Sequence, residues 1–253
     1  MSGELGGVYI AKVKEAKLDN EGCIAVEIES RQLNLRARLA SFGAGDGRGV
    51  FMVPEQGDQV VVAFVGGESQ EAVVIGSLWS MQAKPPVTAT DDKNAVKAIK
   101  TKGGHSIRFG EEDKQGAIEI RTVGGHTLVL SDEDKNGAVK IATAGGHSLV
   151  LSDEDQKGRL EILTTGGHRL LLSDEAGEEK VEVWDSGGTL VVRLDTANGV
   201  IEIDAADGLL TLTATEVTID GQLNVTGEST FDDRVTIGTG PKKTVIDKNT
   251  ITG

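Results

Sequence analysis

A 21-residue repeat constrains this chain more than any other feature. Gly-Gly-His stands at 103–105, 124–126, 145–147 and 166–168, and Gly187-Gly188-Thr189 follows at the same spacing. Repeats of this period build stacked architectures rather than one closed core. Inside a unit the order is strand, turn, strand, turn. His126-Thr-Leu-Val-Leu130 leads into the polar run Ser131-Asp-Glu-Asp-Lys-Asn-Gly137, and Ala138-Val-Lys-Ile-Ala-Thr143 follows.

Alternation at period two puts one apolar pair per strand on a common face. The pairs are Ile118 and Ile120, Leu128 and Leu130, Val139 and Ile141, Leu149 and Leu151, Leu160 and Ile162, Leu170 and Leu172, and Val181 and Val183. Glu119, Arg121, Lys140, Glu161, Arg169, Lys180 and Glu182 interleave with them and suit the solvent side. No helical period competes. The chain has thirty-four glycines against five Phe, two Trp and one Tyr, so any core is thin and aliphatic.

One copy of such short strands cannot bury its own apolar strip or close its edges. Two architectures resolve this: a single-chain solenoid, or three chains wound about one axis with their strips meeting in the middle. A solenoid coil commonly needs about three strands, and these units hold two. The expectation is therefore an intertwined trimeric β-helix over residues 97–221, with the pairs named above as its trimer core. Val200-Ile-Glu-Ile203, Leu210-Thr-Leu212, Val217-Thr-Ile219 and Leu223-Asn-Val225 predict that strands continue past the repeats. Residues 222–253, with Phe231, Val235-Thr-Ile237, Pro241 and Val245-Ile246, read as a distal cap.

The N-terminal part differs. Tyr9–Val13, Cys23–Ile28, Leu33–Arg38, Gln59–Val65 and Ala72–Leu78 read as five strands joined by glycine-rich turns, with Gly66–Gln70 as a short hairpin connection. Five strands in about eighty residues suit a small barrel of the oligonucleotide/oligosaccharide-binding (OB) type over residues 1–82. The polar stretch 83–96 around Pro85-Pro86 breaks the pattern and reads as a linker. The fold class expected for the whole is all-β: a five-stranded OB-fold barrel followed by the β-helix.

Charge and cysteine content narrow the function. A formal charge of −14 with no basic run argues against nucleic acid as a partner. Cys23 is the only cysteine, so no intrachain disulfide framework exists and burial and strand pairing must supply stability. The N-terminus lacks the basic and apolar regions of a signal peptide, and no window has the apolar length of a membrane-spanning helix.

At this point particular residues carry a resemblance. Val53-Pro-Glu-Gln-Gly-Asp-Gln-Val-Val-Val-Ala-Phe-Val-Gly-Gly67, then Val73-Val-Ile-Gly-Ser-Leu-Trp79, then Lys84-Pro-Pro86 resemble the barrel domain of phage baseplate assembly protein V and of the valine-glycine-repeat spike proteins of contractile injection systems. The similarity spans about residues 6–86 by motif and the remainder by architecture. It implies a homotrimer whose barrels sit on a baseplate hub and whose β-helix needle is driven through a target envelope when the sheath contracts. It also implies a separate hub protein at the barrel, transient contact with the target membrane, and a virion or extracellular injection particle assembled in the producing cell's cytoplasm. Family needles end in a metal-bound tip or receive a conical cap protein. All four histidines here lie in the repeats, so a separate cap protein at the C-terminal end is the expectation.

The chemical constellations are weak beside this. His105, His126, His147 and His168 could form rings of three that ligate metal, or could each start a strand after a Gly-Gly bend. No carboxylate or second histidine sits at ligand spacing on the same strand. Asp132-Glu-Asp134-Lys-Asn136-Gly137 matches the first half of a calcium loop, but Thr143 stands where the closing Glu belongs, which favours a solvated turn. Ser106 and Ser148 adjoin histidines in sequence, yet neighbours on a strand point to opposite faces. The reading is of a non-enzyme with no catalytic, cofactor or metal residues. A receptor-binding tail-fibre or adhesin module and a glycan-degrading trimeric β-helix are its rivals.

Overall fold

The computed structural model describes residues 7–67, 71–87, 93–205, 208–231, 235–237 and 244–246. It divides into two units, Met1–Asp204 and Ala205–Gly253. The first holds a barrel and a long sheet.

The barrel has five strands: β1 (Val8–Glu15), β2 (Cys23–Ile28), β3 (Leu33–Leu39), β4 (Gln59–Phe64) and β5 (Ala72–Leu78). They close in the order β1-β2-β3-β5-β4, antiparallel except for the parallel β3–β5 pair. Closure follows from the alternation. Val13, Ile24, Val26, Ile28, Val60, Val62 and Val74 point inward and are fully buried, while the residues that alternate with them, Cys23 apart, are more exposed. Phe64 packs edge-on against Tyr9 at 5.6 Å between ring centroids. Asp19 fixes the β1–β2 turn by accepting the N–H groups of Glu21 (2.9 Å) and Cys23 (2.8 Å) and the Arg36 guanidinium (2.8 Å). The thiol of Cys23 is buried, and that burial raises its pKa. Residues 68–70 of the expected hairpin connection, and 88–92 of the expected linker, lie outside the described residues.

The sheet has eleven strands: β6 (Val96–Lys100), β7 (Ser106–Gly110), β8 (Ala117–Arg121), β9 (Thr127–Ser131), β10 (Ala138–Ala142), β11 (Ser148–Ser152), β12 (Arg159–Leu163), β13 (Arg169–Ser173), β14 (Lys180–Trp184), β15 (Leu190–Asp195) and β16 (Val200–Ile203). Each pairs antiparallel with its neighbours in sequence, so the repeats form a meander. At ~4.8 Å per strand the ladder is on the order of 50 Å long. The chain is thus all-β, a five-stranded barrel followed by a long antiparallel sheet. Apart from the outer edges of β6 and β16, its strand edges find their partners within one chain, so pairing along the meander does not require sister copies. The faces are the surfaces left open.

Two turn types alternate. In the Gly-Gly-His turn, Thr122 N–H donates to the His126 carbonyl (2.9 Å) and Gly125 N–H to the Thr122 carbonyl (3.0 Å), a bulged hairpin turn that puts Gly125 at φ +91°. Thr122 Oγ1 also accepts the His126 N–H at 3.0 Å. In the fifth turn Asp185 takes the place of Thr, and its Oδ1 accepts the N–H groups of Gly187 (2.9 Å) and Thr189 (2.8 Å). The acidic turn opposite closes through Asn136 N–H to the Glu133 carbonyl (2.9 Å), with Lys135 at φ +63°.

In the second unit, β17 (Val235–Ile237) pairs with β18 (Thr244–Ile246). The expected strands at Leu210–Leu212, Val217–Ile219 and Leu223–Val225 do not form; residues 208–231 contain no strand and are exposed. Alternation is a side-chain property, whereas a strand needs a backbone partner, and the described chain places none beside this segment. Pro241, and with it much of the expected cap, lies outside the described residues.

Candidate functional site

The strand register lines the second and fourth residues of β7 to β14, and the third and fifth of β15, into two apolar columns on one face of the sheet. One column runs Ile107, Ile120, Leu128, Ile141, Leu149, Ile162, Leu170, Val183 and Val192. The other runs Phe109, Ile118, Leu130, Val139, Leu151, Leu160, Leu172, Val181 and Leu194. Every residue assigned to a trimer core from the sequence stands in one of these columns. Ile118, Ile120, Leu130, Ile141, Leu151, Ile162, Leu172 and Val183 are between 37% and 43% exposed in the single chain. The seam is assembled but uncovered.

The other face is charged yet better covered. Leu171 and Glu182, which lie opposite each other there, are 6% and 5% exposed. Glu161 pairs with Arg169 (2.5 Å), and Glu182 lies 3.5 Å from Lys180 and 3.8 Å from Arg193. The Glu161–Arg169 and Glu182–Arg193 pairs cross between strands and Lys180–Glu182 runs along β14. Glu182, expected on the solvent side, is instead buried among these partners. A single chain therefore covers its charged face more completely than its apolar one.

The histidines have a place that sequence reasoning missed. Nδ1 of His105 accepts the N–H of Val123 (3.4 Å), Nδ1 of His126 that of Ala144 (3.3 Å), and Nδ1 of His147 that of Thr165 (3.3 Å). Each imidazole links its own turn to the turn one repeat on. The signal was present in the constant 18-residue offset, which follows from the 21-residue period. The acidic turns also stack: Asp132 N–H donates to the Gly116 carbonyl (2.8 Å) and Asp134 N–H to the Lys114 carbonyl (3.0 Å), with the same pattern at Asp153 and Asp155. Asp132, Asp134 and Asn136 are thus part of a turn ladder. Among the described residues, no three His, Cys, Asp or Glu side chains converge in a way that could hold a metal ion.

Between the barrel and the sheet, Lys102 Nζ of the first Gly-Gly-His turn pairs with Glu55 Oε2 of the β3–β4 connection at 2.8 Å. Both groups are largely exposed, so the bond adds little stability. The class these features define is an OB-type barrel carrying a repetitive antiparallel β-sheet with an open apolar seam. Residues 9–79 match the family model of the Type VI secretion system/phage-baseplate injector OB domain, and the chain carries that baseplate domain. Among curated proteins, none matches the chain significantly. The domain supports a structural role in a phage or secretion-system baseplate.

Proposed function

We propose that three copies of this chain form the central spike of a contractile tail or injection system, a non-enzymatic element that pierces the target envelope on sheath contraction. The observation that carries this reading is the seam: two aliphatic columns in register along the meander, uncovered in one chain and joined to an injector barrel. Water penalises such a strip along its length, and three identical strips facing one axis remove it from solvent together. The mechanism is mechanical. Sheath contraction supplies the work, while strand ladders, stacked turns and the shared aliphatic seam hold the needle rigid without reactive groups.

The second unit supports the same reading. Leu210, Leu212, Val217, Ile219, Leu223 and Val225 keep strand alternation in exposed chain that lacks a partner strand. Sister copies at the same height would supply both the backbone partners and the apolar cover, which is where intertwining of three chains belongs. A hub protein at the barrel, a cap protein at the C-terminal end, cytoplasmic assembly in the producing cell and transient contact with the target membrane complete the proposal.

The test is made in the producing cell. Particles built with full-length Leu128→Asp are expected to lose puncture of the target, read as dye entry or killing. Undiminished puncture contradicts the spike.

A further inference from the structure

The outside of the barrel is divided. At one end of β1, β4 and β5 the outward residues are apolar, Val8 and Ile10, Val61 and Ala63, Val73 and Ile75, while Lys12, Lys14 and Gln59 continue the same faces as polar positions. Register sets Val8 opposite Ala63 and Ala63 opposite Val73, and it sets Ile10 opposite Val61, so these side chains form one patch three strands wide. Val8, Ile10 and Ile75 are 62%, 59% and 54% exposed. On β2 and β3 the outward positions instead carry Glu27, Asn34, Arg36 and Arg38.

A second, unlike apolar surface stands on the connection from β3 to β4. There Val50 N–H donates to the Phe42 carbonyl (3.0 Å), Gly45 and Arg48 exchange backbone hydrogen bonds (3.1 and 3.3 Å), and the Ser41 hydroxyl donates to the Val50 carbonyl. These bonds make a small preformed hairpin, and it presents Phe42 and Phe51 at 86% and 80% exposure beside the exposed Met52. Two large aromatic rings held in water on a pinned loop form a knob ready for a partner.

We infer that the Phe42–Phe51 knob of one barrel seats on the β1–β4–β5 patch of the next copy, and that three such contacts close the barrels into a ring. The inference rests on the trimer reading above. Around a three-fold axis no surface meets its own copy, so every contact joins two unlike patches, and the knob and the β1–β4–β5 patch are such a pair. A hub partner would need only one. Copies already joined along the sheet hold knob and patch at high effective concentration, so a modest contact suffices.

The full chain carrying Phe51→Cys together with Ile10→Cys tests the ring. Both sites are exposed and Cys23 is buried, so folding should be unaffected. Mild oxidation is expected to convert most of the double variant into a covalent species of three chains, while either single variant stays uncrosslinked. A trimer by solution mass that gives no crosslink overturns the ring and leaves the spike reading standing. A monomer by solution mass overturns both. If Phe42→Ser with Phe51→Ser keeps the trimer and its barrel contacts but loses co-purification of a hub protein, the knob belongs to the hub and the ring is wrong.

Discussion

The backbone N–H of Val123 points at Nδ1 of His105, 3.4 Å away and one repeat back along the chain. The same bond recurs between Ala144 and His126 and between Thr165 and His147, so Nδ1 of each imidazole accepts a bond that ties successive turns together along one margin of the sheet. Replacing His126 by Ala leaves the Ala144 N–H without this acceptor. The expected loss is about 1 kcal/mol of stability, since the turn is exposed and water takes up part of the bond. Denaturant unfolding of wild type and variant measures it. Wild-type stability in the variant would show that the histidine does no more than occupy a turn.

The two turn types predict substitutions of opposite sign. Gly167→Ala places a Cβ 2.9 Å from the Ser186 carbonyl oxygen at φ +93°, where both backbone strain and close contact oppose it. It should destabilise by about 2 kcal/mol or more. Lys135→Gly acts the other way, because Lys135 holds φ +63° at the position where the fourth acidic turn already has Gly177. Relief of left-handed strain should stabilise by up to about 1 kcal/mol. Thermal melts of the two variants check both signs.

Acid should loosen the barrel through Asp19. The N–H groups of Cys23 and Glu21 and the Arg36 guanidinium hold its carboxyl below the usual carboxylate range. A carboxylate whose folded pKa is depressed contributes stability above its unfolded value of ~3.9, and that contribution is lost as pH falls through the folded value. Asp19→Asn removes the titrating group. The variant should be less stable than wild type near pH ~6, and the gap should narrow as pH falls below ~4. A constant gap at all pH values would contradict this role.

A charge at the seam should break assembly. Leu128 and Ile141 face each other across β9 and β10. Ile141→Asp in each copy would put three unpaired carboxylates near one axis, at a cost of several kcal/mol that the seam cannot offset. Sedimentation of the variant should show single chains, whereas an intact trimer would mean that this face does not point inward.

Much of the fold was legible because period-two alternation and glycine placement are local. Cys23–Ile28 and Ala72–Leu78 form strands with the bounds the sequence implies, and β4 stops one residue early, at Phe64, where Val65 enters a short helical turn. The meander was harder to read. Alternation defines which residues share a face, but it does not say whether Leu130 pairs with Val139 of its own chain or with a strand of another. The structure shows the former. Leu210–Leu212 differs for a related reason, since its pattern is that of a strand while its backbone has no neighbour within the single chain. The histidine links escaped notice because they depend on the stacking of turns, a relation between repeats rather than within one.

The mass of the purified full-length chain in dilute solution, by sedimentation equilibrium or light scattering, tests the central claim most directly. The account predicts three times the chain mass of 26.5 kDa, persisting on dilution. A folded, soluble species of 26.5 kDa would contradict it, because the aliphatic columns would then be stable in water without sister copies.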